Sequence, residues 1–386
     1  MNPLLQGRRP EIHGHCDRAF DAVRQAFAAN FFERDEIGGG VCVLVDGRTV
    51  VDLWCGFADP ERNQPWARDT LVCSFSVAKA VCATLRHRLV DQGKLDLDAP
   101  VAATWPEFAQ HGKAAIPVRY LFDHRAALAY LDRKLAPGDL YDWDLMVDAL
   151  ACSRPNDPPG DHECYLNMTF GYLLGELIRR ITGRRLKQAL AEDLSGPLDL
   201  DWHFAVDDAD LPRLARLIQR QPRALFDLVR DQPDSLFARS MQGFGADEDF
   251  DSLAWRKAEV GSGTLHGSAR SMARLFACLA GGGTLDGIRI LSPASVRTAI
   301  TEQVRGHDPI LDVDIRFPLG YELNNPPAHP MGPNPDAFGH WGAGGAFGFG
   351  DSERNLGFGY SPNFMHPALE LGPRGSALVE ATLSCL

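Results

Sequence analysis

The chain has 386 residues, 45% of them hydrophobic and 23% charged, enough for one large or two intimate domains with a substantial core. Thirty-nine basic against 51 acidic residues leave a net charge of −12, which argues against nucleic-acid and anionic-membrane partners, since both reward clustered positive charge. No run of 18 apolar residues occurs, and the opening Met1-Asn-Pro-Leu-Leu-Gln-Gly-Arg-Arg-Pro10 lacks the apolar centre of a signal peptide, so a cytoplasmic protein is expected.

Taken in order, the chain predicts an opening helix around Asp17 to Ala29, with Phe20, Val23 and Phe27 on one stripe. A hairpin follows over Val41 to Trp54, because Asp46-Gly47 separates two β-branched runs. From Ser76 the period changes: Val77, Val81, Leu85 and Leu89 recur every four residues until Gly93, the pattern of a buried helix carrying Ser76 and Lys79 in its first turn. Residues 94 to 280 read mainly as helices joined by loops rich in Pro and Gly. The cleanest are Met168 to Ile181, capped by Gly183, and Ser268 to Ala280, ended by three glycines. The stretch 205 to 258 reads as a surface excursion or lid. Strand-like, Gly-rich sequence returns from Gly339 to Phe364, followed by a last helix. The expected architecture is α/β (α+β): a sheet domain from 1–75 and 285–386, closed by both termini, with a mostly helical domain, 76–284, inserted.

Nine scattered cysteines with no Cys-x-x-Cys pair read as reduced thiols, and Cys42, Cys55, Cys73, Cys82, Cys164 and Cys278 sit in apolar text. His13-Gly14-His15-Cys16 has no distant partner ligands and reads as a mobile surface tract, so neither metal nor cofactor is expected. His266, Tyr130 and the acidic Asp247-Glu248-Asp249 read as packing or solvated surface.

The sequence contains no Gly-x-Ser-x-Gly, phosphate-binding loop or His-Glu-x-x-His. It holds one Ser-x-x-Lys, Ser76-Val77-Ala78-Lys79. Residues three apart share a helix face, so a desolvated Lys79 amine can take the proton of Ser76 near a helix N-terminus that favours developing negative charge. Sixteen serines and six lysines predict ~0.25 chance occurrences, so the tetrad alone fits a helix cap with a solvated lysine as well. A lysine in an apolar helix is nevertheless notable beside 33 arginines, which cannot give up a proton. Tyr165-Leu166-Asn167 offers a phenol to relay a proton, if cationic neighbours depress its pKa, and an amide to orient base and substrate. Gly339-His340-Trp341-Gly342-Ala343-Gly344-Gly345 is a strand edge a ligand can approach closely. Each of these two has a plain alternative, a helix-capping loop and a tight turn.

In the order Ser-x-x-Lys, Tyr-x-Asn, His-x-Gly, the chain resembles the serine β-lactamase and penicillin-binding-protein superfamily, in particular the class C-like branch with the family VIII carboxylesterases. Val51-Asp-Leu-Trp54, Val118-Arg-Tyr-Leu-Phe-Asp-His124, Pro159-Gly160 and Ala269-Arg-Ser-Met-Ala-Arg-Leu275 extend the likeness to residues 15 to 365. The resemblance implies a β-lactamase-like fold and Ser76 as acylated nucleophile. By the same resemblance Lys79 would be its base and Tyr165 a partner in proton transfer, while Asn167 would position Lys79 and the acyl group. The N–H groups of Ser76 and Ala343 would form the oxyanion hole; counting Trp341-Gly342-Ala343 as the third motif would shift that donor by one residue. Relatives usually present Lys-Thr-Gly where this chain has His340-Trp341-Gly342, so a cation for a substrate carboxylate is missing and a neutral ester is favoured. Relatives also tend to carry Gly at the place of Ala127. The expected activity is hydrolysis of small or short-acyl esters. The alternatives are a β-lactamase or D-amino-acid peptidase, an acyltransferase, and a catalytically silent binding module.

Overall fold

The computed structural model describes residue 5 and residues 10–219, 224–244, 249–367 and 371–386. Strands β1 (His13–Cys16), β2 (Gly38–Val45) and β3 (Arg48–Asp59) come from the N-terminal end, with helix α1 (Asp21–Glu33) between the first two. Asp46 and Gly47, at φ 50° and 73°, form the two-residue turn of the predicted hairpin, since both its positions need left-handed backbone. The middle of the chain contributes helices α2 (Val77–Asp91), α3 (Thr169–Thr182) and α4 (Ala269–Ala280). The C-terminal end contributes β4 (Glu322–Leu323), β5 (Phe338–Trp341), β6 (Phe347–Asp351), β7 (Leu356–Pro362) and helix α5 (Gly372–Leu383). The strands lie in the order β1-β3-β2-β7-β6-β5-β4, every pair antiparallel, with Gln64–Pro65 as a short eighth strand on β3. The pairing of β2 with β7, Val43 opposite Phe358, joins the two ends of the chain into one sheet.

The two faces of the sheet are written in the sequence with period two. Phe347, Phe349, Phe358 and Tyr360 share a core with Val23 and Phe27 of α1 and Leu378 of α5. Gly348, Gly350, Gly357 and Gly359 alternate with them and face α4. A Cβ on Gly357 would lie 2.4 Å from the Ala273 carbonyl, and one on Gly359 2.3 Å from that of Ala269. Only glycine lets the helix settle directly on the strands. Helix α4 lies within the segment read as helical, yet it packs on β2, β6 and β7 of the sheet. Between α2 and α4 the chain forms short helices, the longest being α3, which ends at Gly183 with φ 72° and packs against α2.

One expectation is corrected. His13 to Cys16 is an ordered edge strand instead of a mobile tract, held by pairing with Val51 to Trp54 and by the stack of His13 on Trp54. The described parts of 205–258 include helices Ala224–Asp231, Leu236–Ser240 and Leu253–Arg256, while Asp247 and Glu248 lie outside the described residues. All nine cysteines are free thiols, and the six in apolar text are buried. Among the described residues no helix is long and apolar enough to cross a membrane, and no group of three or more His, Cys, Asp or Glu is placed to hold a metal.

Candidate active site

The N-terminus of α2 sits against the C-terminal end of β5. Ser76 is the residue that caps α2, and Phe75 before it adopts φ 43°, a left-handed conformation that costs a side-chain-bearing residue energy and turns the chain sharply into the helix. One turn on, the Lys79 amine donates to Ser76 Oγ at 2.9 Å and approaches the Ser262 carbonyl at 3.5 Å. Lys79 is fully buried, and burial pulls its pKa down to about 7 while the Glu322 carboxylate works in the opposite direction. Near neutral pH this amine is free to accept a proton from the hydroxyl it touches.

Tyr165 reaches the same serine from the loop before α3. Its phenol is within hydrogen-bonding reach of the Ser76 hydroxyl, and Lys79 Nζ lies 4.6 Å from the centre of its ring. The loop is pinned at three successive amides: Cys164 N–H donates to the His124 carbonyl (3.0 Å), Tyr165 N–H to Asp308 Oδ2 (2.7 Å) and Leu166 N–H to His124 Nδ1 (3.0 Å). His124 is buried against the Tyr165 and Phe317 rings, and burial holds its pKa well below the usual range, so it remains a neutral acceptor. Burial also pushes the Tyr165 pKa well above 10, and Glu322 and Asp308 add to the shift. The sequence argument for a phenol acidified by cations is therefore corrected. Tyr165 is a neutral phenol that can donate or pass on a proton.

Ser76 and Ala343 border one cavity, and among the described residues neither backbone N–H has an acceptor. The N–H of Gly342 is committed to the Ala346 carbonyl at 2.7 Å, which leaves Ala343 as the available donor in the Gly342-Ala343 pair. Gly342 is required by proximity: a Cβ there would lie 2.1 Å from the Ser74 carbonyl, so any side chain would push the strand away from α2. Trp341 borders the cavity with its ring stacked on His329. His340 is buried behind the wall. Its Nδ1 donates to the Trp341 carbonyl (2.8 Å), and burial followed by the Lys79 charge lowers its pKa to about 3, leaving the ring neutral.

Among the described residues no hydrogen bond joins Asn167 to Lys79. The Asn167 amide nitrogen donates to Ser240 Oγ at 3.2 Å and meets Met241 Sδ at 3.0 Å, tying the site to the 236–241 segment above it. Ser262 does part of the expected task. Its hydroxyl donates to the Met168 carbonyl and accepts from Gly171 N–H, fixing the carbonyl that Lys79 approaches. The sequence reading also missed Asp308 and Glu322. Glu322 is buried beside His340 (3.4 Å) and His329 (4.0 Å), neither oxygen has a hydrogen-bond donor among the described residues, and burial drives its pKa up. Its one sequence signal is an acid between Tyr321 and Leu323 in an apolar run; Asp308 and Ser262 carry none. His266 bonds to the Thr264 carbonyl, and Tyr130 lies under the Arg239 guanidinium, both in packing positions.

The cavity beside Ser76 is small, about 50 Å³, and partly open to solvent. Its wall is apolar, built from Phe75, Met168, Met241, Phe244, Phe250 and Trp255 among others, and among the described residues no Lys, Arg, Asp or Glu borders it.

A helix-borne Ser-Lys pair, a neighbouring tyrosine and a paired strand edge on this mixed α/β scaffold define a β-lactamase-like fold. Residues 20–381 match the Beta-lactamase family, and the chain belongs to it. It is similar to the esterase/beta-lactamase LipL of Mycobacterium tuberculosis, 36% identical over 363 residues that cover 91% of this chain and 82% of LipL. Among solved structures it resembles a family VIII carboxylesterase (TM-score 0.90, 36% identity, 97% of this chain and 100% of that one). It also resembles a penicillin-binding-protein homologue from Caulobacter crescentus (TM-score 0.89, 36% identity, 97% and 100%).

Proposed function

We propose that this protein is a serine carboxylesterase that hydrolyses small-molecule esters through an acyl-enzyme on Ser76, without a cofactor. The observation that carries the reading is the 2.9 Å contact between Ser76 Oγ and a buried lysine whose pKa has fallen to about 7. Neutral Lys79 takes the hydroxyl proton as Oγ attacks the ester carbonyl. The oxyanion forms between the N–H groups of Ser76 and Ala343, where a lost donor costs about 10²- to 10³-fold in kcat. As the C–O bond breaks, the proton passes to the leaving alkoxide through the neutral Tyr165 phenol. Water then attacks the acyl carbonyl, giving its proton back along the same path and releasing the acid and Ser76.

Among the described residues no cation borders the cavity and His340 is neutral, which supports an ester over a substrate with a carboxylate, because burying an unpaired charge is costly. The esterase named among the relatives and the family VIII carboxylesterase among the similar structures agree with it. Lactam opening at the same serine is the second reading, favoured by the other half of LipL's name. Free, mostly buried thiols fit a reducing compartment, and we place the enzyme in the cytoplasm. In the test, a p-nitrophenyl alkylphosphonate should label Ser76 stoichiometrically, and Ser76→Ala should lower p-nitrophenyl butyrate hydrolysis by at least ~10⁴-fold with the fold intact by circular dichroism. An unlabelled serine in folded protein would refute the reading, and nitrocefin turnover matching ester turnover would reverse the ranking.

A further inference from the structure

Strands Val304–Asp308 and Val313–Phe317 form a two-stranded hairpin apart from the main sheet, paired from Val304 opposite Phe317 to Asp308 opposite Val313. It comes from a distant part of the chain, yet it docks on the Tyr165 loop at two adjacent points. Gly306 packs so closely on the buried Glu163 that a Cβ there would lie 2.4 Å from Glu163 Oε1. Two residues on, along the same side of the strand, Asp308 Oδ2 accepts the Tyr165 N–H at 2.7 Å. Its other oxygen accepts the N–H groups of Ile310 (2.9 Å) and Leu311 (2.8 Å), and Leu311 borders the cavity. One carboxylate without solvent exposure thus takes three backbone donors and ties the Tyr165 loop to the cavity border. Burial pushes its pKa up to about 6 against the pull of these amides, with Glu163 working in the same direction as burial. The other titratable groups bearing on it are Cys164 and Tyr165 on the loop and Glu322 on β4. His307, Asp312 and Asp314, on its own hairpin, are exposed and pair with one another.

We propose that Asp308 is a positioning residue for Tyr165, a latch that holds the phenol toward Ser76 as a carboxylate and lets go as a carboxylic acid. This rests on the ester-hydrolase reading and deepens it. On acidification one proton from solvent goes to Oδ2, because Oδ1 already takes two donors. The oxygen that accepted the Tyr165 N–H is then a hydroxyl, a weaker acceptor whose hydrogen must turn away from the amide. A buried N–H left without a good acceptor is costly, and the loop relieves that cost by moving. The fold itself is not lost this way. An Asp whose pKa is higher folded than the ~3.9 of a free side chain favours the folded chain as it takes up its proton, so acid acts here on position and not on stability. Protonation of Glu322 has the opposite effect on activity, since it removes the charge that keeps a proton on Lys79.

The test is the pH profile of kcat/KM for p-nitrophenyl butyrate, per Ser76 site counted with a small alkylphosphonate, in wild type, Asp308→Asn and Asp314→Asn. Wild type should lose activity with a logarithmic slope of one below about 7, as Lys79 takes a proton, and steepen toward two below about 6. At about pH 5 it should lie ~10-fold beneath the single-proton line, with circular dichroism unchanged and full recovery on return to neutral pH. Asp308→Asn sets an NH2 group against one of the three amides. It should cost ~10-fold in kcat above neutral pH with little change in KM, and should keep a slope of one throughout. Asp314→Asn, exposed on the same hairpin, should reproduce the wild-type profile. A slope of one throughout in wild type, a steep limb that survives in Asp308→Asn, or its loss in Asp314→Asn would overturn the inference. Should Asp308→Asn fail to fold, the wild-type slope alone decides. The overturning outcomes leave Ser76 labelled and esters turned over, whereas failure of the ester-hydrolase reading appears as no labelling and no turnover at any pH.

Discussion

The floor and the roof of the cavity are built on opposite principles. The floor, where α2 meets β5 and the Tyr165 loop, is a buried polar cluster in which Ser76, Lys79, Ser262, His124 and Asp308 are fixed by hydrogen bonds to named partners. The roof presents Phe237, Met241, Phe244, Phe250 and Trp255 to the cavity, held by ring contacts and by the amide of Asn167. Hydrogen bonds are directional and short, so the floor tolerates little displacement, whereas the burial of apolar surface that holds the roof is non-directional and can be reshaped. On the proposed reading, chemistry therefore belongs to the floor, and the roof is the part of the cavity that can vary.

The severest way to break that division is Gly342→Ala. Its Cβ would intrude on the Ser74 carbonyl, moving the strand edge that carries the Ala343 N–H, and we expect kcat to fall by about 10²-fold for bulky and small esters alike. Steady-state kinetics on both esters checks this; a loss confined to one would place Gly342 with the roof.

Glu322→Gln should have a smaller effect, readable in the pH profile. Wild-type kcat/KM should rise with pH through about 7, as Lys79 loses its proton. The groups facing Lys79 are Glu322 on β4, His340 on β5, Tyr165 and His124 on their loops, and Cys82 on its own helix; of these, Glu322 first and then Cys82 favour the protonated amine. Burial raises the Glu322 pKa, so it acts on the amine only while ionised; in that state, removing its charge makes the amine give up its proton more easily. The acid limb should therefore move to lower pH and the relative rate at pH 6 should increase. An unmoved limb would show that Glu322 is uncharged in the working enzyme.

The smallest effect concerns stability. Ala127 sits at φ 54°, left-handed backbone where an L residue is strained and glycine is not. Ala127→Gly should raise unfolding free energy by ~0.5–1 kcal/mol after the entropy gained by the unfolded chain, read as a higher urea midpoint, with ester kinetics untouched.

Much of the floor was legible in the sequence, for local reasons. Three residues along a helix bring Lys79 onto Ser76 whatever surrounds them, and Asp46-Gly47 and Gly183 dictate left-handed backbone by themselves. The alternation Phe-Gly-Phe-Gly likewise wrote one face of the sheet for aromatic packing and the other for a close helix. What the sequence could not assign were partners from distant segments. Ser262 comes to Lys79 from 183 residues away, and Asp308 to Tyr165 from 143. Nothing local marks such residues, because their meaning lies in the group they meet and not in their neighbours.

The protonation states were decided at the same level. The sequence offered Tyr165 as a phenol to be acidified by cationic neighbours, and the resemblance implied Asn167 as a positioner of Lys79, while the tertiary structure buried the phenol near Glu322 and Asp308 and paired the amide nitrogen with Ser240 and Met241. The sequence by itself determined the order of elements, the Ser-Lys pair and the glycines that permit close approach, since these follow from backbone geometry over a few residues. Only the tertiary structure decided which groups are charged and what fills the cavity, because desolvation and shape are properties of everything within several ångströms, however far apart along the chain.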